Sequence, residues 1–385
     1  MGPLAGLKVL EIAAMGPAPF AGMMLADMGA EVVRIDRVAA AGLGIDRPIE
    51  FELRGRNKRS VAMDLKSPAG RAAFLRLVAQ ADIVLEGWRP GVAERLGIGY
   101  EDCRKAQPRI VYGKATGWGL DGPLAMTAGH DINYIALSGA LDMIGPAGGA
   151  PVPPLNLVGD YGGGAMYLAF GVLCAYIEAL RSGQGQMVNA AMLDGVNSLL
   201  AVFHGFLAAG RLRPGRGENI LDGGAPYYTT YETADGLHLA VGCIEPKFYG
   251  LFLEGLGLDP ATLPPQNDRA SWPELRRIIA ARIGSRSRAE WETVFEGSDA
   301  CVTPVLSLTE APSHPHNRAR RSMVELAGIH HPAPAPRFSR SRPQLSSPPV
   351  ADGADTRAVL ADWGFTPMEI EAGLASGAFV QRMMT

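Results

Sequence analysis

The sequence of 385 residues is short of cysteine, histidine and unbalanced charge, and each shortage removes a class of protein. Its four cysteines, Cys103, Cys174, Cys243 and Cys301, form no CxxC and no Cys/His ligand spacing. That argues against a disulfide framework and a structural metal site, and makes a reduced, cytoplasmic setting the expectation. Acids outnumber bases only 39 to 36, with no long basic run. Nucleic acid is therefore not an expected partner, and any anionic ligand must be held by locally clustered arginines. The most apolar stretch, 165–180, carries Gly171 and Glu178. It falls short of the roughly 20 apolar residues a spanning helix needs, so it reads as a buried helix and no membrane partner is expected. The opening MGPLAGLKVLEIAAMG has only Lys8 as an early positive charge and does not read as a signal peptide, and the final RMMT carries no lipidation or peroxisomal signal.

What is present is an alternation of strand and helix patterns. Strand 7–12, a Gly-Pro turn, helix 18–28 and strand 31–35 are followed by helix 68–80, strand 83–86, helix 91–96 and strand 109–113. This order builds an α/β domain with a parallel, Rossmann-like sheet. A glycine-studded helix over 161–181, an apolar segment at 187–191 and a helix over 193–209 complete a large domain, 1–209. A loop-like stretch, 210–225, reads as a linker to a small α+β domain, 226–310. There, 227–233 and 237–241 flank Asp235-Gly236 as a hairpin, and S-x-x-E boxes at Ser271–Glu274 and Ser287–Glu290 open two helices. A return linker, 311–331, leads to a tail from about 332 to 385, rich in Pro, Ser and Arg up to 349, with a last helix at 367–375. That tail is expected to pack back on the large domain.

Strand, turn, helix and then Asp36 resemble the start of a dinucleotide site, but the turn AAMGPAPFAG lacks G-x-G-x-x-G, and Pro17 removes an N–H where a pyrophosphate would need one. Nor is a P-loop present. Among seven histidines, His238, His314, His316, His330 and His331 lie outside any catalytic pattern, and His204 sits in an apolar helix. His314 and His316 have no third ligand nearby, so no metal is expected. His130 differs, because in TAGHDINY it stands at a helix start, where the positive end of the dipole favours a neutral ring able to accept a proton. Taken alone, a histidine in such a position is more often structural than catalytic. Asp160, in PLNLVGDYGGG, precedes Gly162, Gly163 and Gly164, which permit a ligand or a second backbone to come close; helix capping is the other reading of that aspartate.

Eight segments in order resemble the family III CoA-transferase superfamily and, within it, the 2-methylacyl-CoA racemase branch. They are GLKVLEIAAMGPAPFAGMMLADMGAEVVRIDR, NKRSVAMDLKS, EGWRPGVAERLGIGYED, ATGWGLDGP, GHDINY, PLNLVGDYGGG, LDGGAPYYTTYETADG and VGCIEPKFY. GHDINY discriminates, since the superfamily's transferases lack a His there. The resemblance implies proton transfer at C2 of an acyl-CoA through an enolate, with His130 and Asp160 as acid/base pair and Glu245 orienting His130. It places the thioester oxygen near the Asp131 N–H. For coenzyme A it implies Arg37, the segment Met63, Asp64, Leu65 and Lys66, then Gly87, Trp88 and Arg89, Arg95, and Gly129, Asp131, Asn133 and Tyr134. It further implies an interlocked homodimer with Glu245 supplied by the partner chain, and no cofactor beyond the CoA of the substrate.

Two other readings compete. In a CoA transferase Asp160 would be a covalent nucleophile, and His130 would occupy space the acceptor acid needs. A non-catalytic acyl-CoA binder would have no use for His130, Asp160 and Glu245 together. The acyl group is not legible, although Met126, Met143 and Met166 near these motifs hint at a plastic apolar surface.

Overall fold

A computed structural model describes residues 1–39, 42, 45 and 47–382. The chain forms two compact units. The first comprises Met1–Ser138, Leu155–Leu199 and Arg318–Thr385, and the second Gly139–Pro154 and Leu200–Asn317.

In the first unit six strands run parallel: β1 (Lys8–Ile12), β2 (Glu31–Asp36), β3 (Lys58–Met63), β4 (Ile83–Glu86), β5 (Val111–Thr116) and β6 (Met187–Ala191). The second unit holds an antiparallel sheet of β7 (Tyr228–Glu232), β8 (His238–Gly242) and β9 (Val302–Pro304). Returning to the first unit, β10 (Met323–Leu326) and β11 (Ile329–Pro332) make a hairpin, and β12 (Phe379–Val380) adds antiparallel to β3. The large sheet is ordered β12-β3-β2-β1-β4-β5-β6.

The central strands carry apolar residues on both faces, as burial on both sides requires, with the few buried charges paired. In β1, Val9 points to a cluster with Leu25, Val32, Leu85, Leu168 and Val172, covered by helices Pro17–Asp27 and Met166–Ser182. Leu10 and Ile12 face the other cluster, with Phe74, Leu77, Tyr112, Leu360 and Trp363, covered by Pro68–Val78 and Thr356–Asp362. The second unit has its own core of Tyr227, Phe252, Trp272 and Trp291.

The division departs from the sequence expectation at both ends of the second unit. The helix expected over 193–209 breaks at Leu200 into Met192–Leu199 and Ala201–Ala208. The first piece is held to the large unit by two glycines: a Cβ on Gly195 would lie 1.9 Å from the Gly163 carbonyl oxygen. The second piece buries none of its residues and, with 139–154, belongs to the second unit. The expected return linker contains the β10–β11 hairpin.

Ser287 and Glu290 form the expected capping box. Ser271 does not, because it already lies in right-handed backbone at the end of a short turn and gives its hydroxyl to Asp268. An unexpected box at Thr366–Glu369 opens helix Pro367–Ala375. The hairpin turn at Gly236 has φ +75°, a conformation glycine reaches without strain. Helix Met166–Ser182 is buried on one face only, in contrast to the buried helix expected over 165–180. Leu168, Val172 and Ala175 face the core, while Phe170, Ile177 and Leu180 are exposed.

Candidate functional site

Because β1 to β6 are parallel, the loops after them share one edge of the sheet. β1 lies between β2 and β4, so the connections leave it in opposite directions, which makes this edge the topological switch point where ligands of doubly wound sheets bind. The loop after β1 is Ala13–Gly16 and the loop after β4 is Gly87–Arg89. They approach closely: a Cβ on Gly87 would lie 3.1 Å from that of Ala14 and 3.2 Å from that of Ala18. Trp88 fastens them, its Nε1–H donating to the Ala13 carbonyl at 2.9 Å.

The expected coenzyme residues gather along this edge. Arg37 follows β2, and its guanidinium lies 5.8 Å from the centroid of the Trp88 ring. Arg89 follows β4, and Arg95 ends helix Val92–Arg95. All three arginines are exposed, and none makes a salt bridge among the described residues. Around β3, by contrast, the backbone is largely taken. Met63 is buried and pairs with Phe379, and the Asp64 N–H donates to the Ala378 carbonyl. The Asp64 carboxylate accepts the Lys66 N–H, and Leu65 is buried. Asp36, the lure toward a dinucleotide, is buried and occupied by Arg34 at 2.7 Å and the Ser60 hydroxyl at 2.6 Å.

His130 is the exposed residue that precedes helix Asp131–Leu137, and its N–H donates to the Asn133 side chain at 3.0 Å. Its turn is shaped by Tyr134, whose hydroxyl donates to the Gly129 carbonyl and whose ring meets Trp118 edge-on, centroids 4.7 Å apart. A Cβ on Gly117 or Gly129 would lie within 2.8 Å of the Tyr134 ring, which accounts for both glycines. Burial and the nearby Asp160 charge push the Tyr134 hydroxyl up to about 12, against the opposing pull of Arg89.

Asp160 is not a helix cap. It sits inside a π-helical segment, Leu157–Ala165, that runs directly into helix Met166–Ser182; such wide turns aim side chains that an ordinary helix would turn elsewhere. The glycines serve backbone contact: a Cβ on Gly163 would lie 2.9 Å from the Met192 carbonyl, and one on Gly164 would lie 2.8 Å from Pro17. The Asp160 carboxylate accepts the Asn156 amide at 3.1 Å and faces Gly16, where φ is +72° and a Cβ would stand 3.8 Å away.

The structure brings the two turns together through a group that sequence reasoning passed over. The carboxylate of Asp131, one residue after His130, accepts the Asp160 N–H at 2.7 Å. A Cβ on Gly159 would lie 2.6 Å from the same oxygen, so only glycine fits there. Burial pushes the Asp131 carboxyl above the usual carboxylate range, and the Asp160 charge adds to that, while the N–H groups of Asp160 and Gly159 partly offset it. The available signal was an acid at the first helical position followed, twenty-eight residues on, by the glycine that precedes Asp160. Glu245 belongs to the second unit, exposed, at the start of helix Pro246–Leu256. No group of three or more metal-ligating side chains gathers among the described residues.

The first unit is thus a doubly wound α/β fold with three exposed arginines at its switch-point edge and with the turns of His130 and Asp160 joined through the Asp131 carboxylate. The chain belongs to CoA-transferase family III, whose model matches residues 4–356. It is 44% identical to mouse and 40% identical to human alpha-methylacyl-CoA racemase, in each case over 95% of both chains. It is 29% identical to mouse succinyl-CoA:glutarate CoA-transferase over 99% of this chain and 91% of that one. Its fold matches the crystal structure of a CaiB/BaiF family protein from Brucella suis with a TM-score of 0.79, at 25% identity, covering 94% of this chain and 99% of that one.

Proposed function

We propose that this enzyme is an isomerase that interconverts the (2R) and (2S) forms of 2-methylacyl-CoA thioesters by proton transfer through an enolate. The observation that carries the reading is the Asp131 carboxylate, which ties the residue after His130 to the backbone of Asp160 and so sets two proton carriers on adjoining turns. A thioester α-proton is weakly acidic, so inversion needs a base on each face of the planar carbon and a donor for the developing oxyanion. His130 serves one face and Asp160 the other. The Asp131 N–H, left free by the first turn of its helix, receives the thioester oxygen. Arg37, Arg89 and Arg95 take the phosphates of coenzyme A, which enters as part of the substrate; no resident cofactor or metal is required.

The deciding test is a single enantiomer of a 2-methylacyl-CoA in heavy water without an acceptor acid. Deuterium should enter the α-position as the centre inverts. A CoA transferase, by contrast, would leave the α-proton alone and move CoA to an added carboxylic acid through an Asp160 thioester that hydroxylamine releases. That outcome would replace the racemase reading.

The enzyme works as an interlocked homodimer in which Glu245 of one protomer orients His130 of the other. Support comes from helix Met166–Ser182, whose outer face shows Phe170 at 69% exposed, Leu180 at 56% and Ile177 at 49%. The helical run Leu157–Ser182 is long and apolar enough, by length and composition, to cross a membrane. Its anchoring in the sheet core instead suits an apolar face covered by a second chain. Sedimentation at micromolar concentration tests this, and a stable, active monomer overturns the shared site. The setting is cytoplasmic.

A further inference from the structure

One buried cation has no role in the proton transfer. Lys114, in the middle of β5, is fully buried and stands directly opposite Glu86 of β4 in the parallel register. Its ammonium lies 2.8 Å from Glu86 Oε2 and 3.0 Å from Glu94 Oε1. Glu86 is also fully buried, and its other oxygen accepts the N–H of Trp88. On the opposite side β6 offers no charge: Asn189 turns its amide to the Lys114 carbonyl and the Thr116 hydroxyl. Taking such a pair out of water is costly, and apolar side chains of the same size often serve stability as well or better.

What these groups share is where they stand along the chain. Glu86 ends β4 immediately before Gly87, Trp88 and Arg89, and Glu94 directly precedes Arg95 in the helix Val92–Arg95. We propose that Lys114 is a positioning residue that holds the segment 87–95 at both ends, through Glu86 and Glu94, and so fixes Arg89 and Arg95 for the phosphates of coenzyme A. If 87–95 holds the coenzyme, as proposed above, the ammonium acts on the binding of the nucleotide half of the substrate and not on the proton transfer at the thioester. Trp88 extends the effect across the switch point, since its backbone is fixed by Glu86 and its ring reaches the Ala13 carbonyl and Arg37.

The test uses two variants of the full chain. Lys114→Met with Glu86→Gln removes both buried charges while keeping an acceptor for the Trp88 N–H, and Glu94→Gln cuts only the half-exposed tie. Affinity for free CoA, measured by calorimetry, should weaken about tenfold in the first and roughly threefold in the second, because a looser loop loses binding and little else. The kcat for inversion of 2-methylacyl-CoA should stay within about twofold, with the loss in KM. The matching acyl-pantetheine thioester, which lacks the nucleotide, should show no comparable rise in KM. A folded variant with unchanged CoA affinity, or equal losses on both thioesters, overturns the assignment. If the double variant does not fold, Glu94→Gln decides alone. Wild-type protein that binds CoA but exchanges no α-proton would sink the racemase reading while leaving this one to the calorimetry. Wild-type protein that does not bind CoA would sink both.

Discussion

The turns that carry His130 and Asp160 meet at the Asp131 carboxylate and are otherwise built in opposite ways. Asp160 belongs to a nine-residue wide turn that continues into a seventeen-residue helix, and its glycines are pressed against Pro17 and Met192 of the core. His130 is exposed and opens a helix of only seven residues, at the end of a loop whose fixed points are Tyr134 and Trp118. Of the two proposed proton carriers, Asp160 is therefore positioned by the core of its own unit. The other depends on the Asp131 strut and, in the proposed dimer, on a carboxylate from outside. The difference teaches that the spacing between the two bases is set mainly from the Asp160 side, with His130 as the adjustable member.

The harshest way to break the comparison is to remove either carrier. His130→Ala and Asp160→Asn should each reduce inversion by about a thousandfold or more, while slow exchange with retention survives on the remaining face. Equal loss of exchange and inversion in both variants would mean that the two faces are not served separately. Next in size is the strut. Asp131→Ala should lower kcat by about a hundredfold with KM for the acyl-CoA little changed, since a misplacement near 1 Å is enough for such a loss. Because Asp160 has the core behind it, exchange on the His130 face should suffer more than exchange on the Asp160 face. The reverse order, read from deuterium retention against inversion, would put the rigid member on the wrong side.

Much of this architecture was legible because it follows from local rules. The βαβ alternation, the hairpin at Asp235-Gly236 and the Ser287 box rest on periodicity and turn chemistry within a few residues. His130 was visible as a helix-start residue, whereas Asp160, readable as a helix cap, lies inside the wide turn Leu157–Ala165; their joint role in proton transfer rests on the resemblance. What stayed hidden depends on partners distant in sequence. Asp131 looked like a residue offering only its N–H, because its acceptor role depends on Asp160 twenty-nine positions away. Glu86 and Lys114 read as ordinary strand residues until the β4/β5 register set them opposite each other. The wide turn at 157–165 packs its Gly163 against Gly195, a contact between residues thirty-two positions apart that no local pattern shows. The Ser271 box matched its pattern and failed, since a three-residue pattern cannot show that the backbone has already turned.

The arginines sharpen the comparison from the ligand side. Arg37→Ala or Arg89→Ala should raise KM for the acyl-CoA about tenfold and leave kcat nearly untouched, because phosphate contacts are made equally in ground and transition states. Arg89 faces Tyr134 electrostatically, so its removal should also shift the Tyr134 hydroxyl further upward, observable in an ultraviolet pH titration. A pure loss of kcat would move that arginine from coenzyme binding to the reacting centre.

The smallest effect concerns stability. Burial raises the Asp131 carboxyl, so the folded state holds that proton more tightly than the unfolded chain does. As pH climbs from acid, the unfolded chain releases it first, and the folded state loses stability until the raised folded value is passed, after which the penalty is constant. Asn at this position has no proton to release, yet its carbonyl can still accept the Asp160 N–H. The melting temperature of Asp131→Asn, relative to the unchanged protein, should therefore rise through that acidic window and then level off. Turnover should fall nevertheless, since an amide accepts the strut hydrogen bond more weakly than a carboxylate. A relative melting temperature that falls as pH rises would show that the Asp131 charge is favoured by the folded state. The strut would then be a stabilising bond, and the contrast between a core-fixed Asp160 and an adjustable His130 would lose its support.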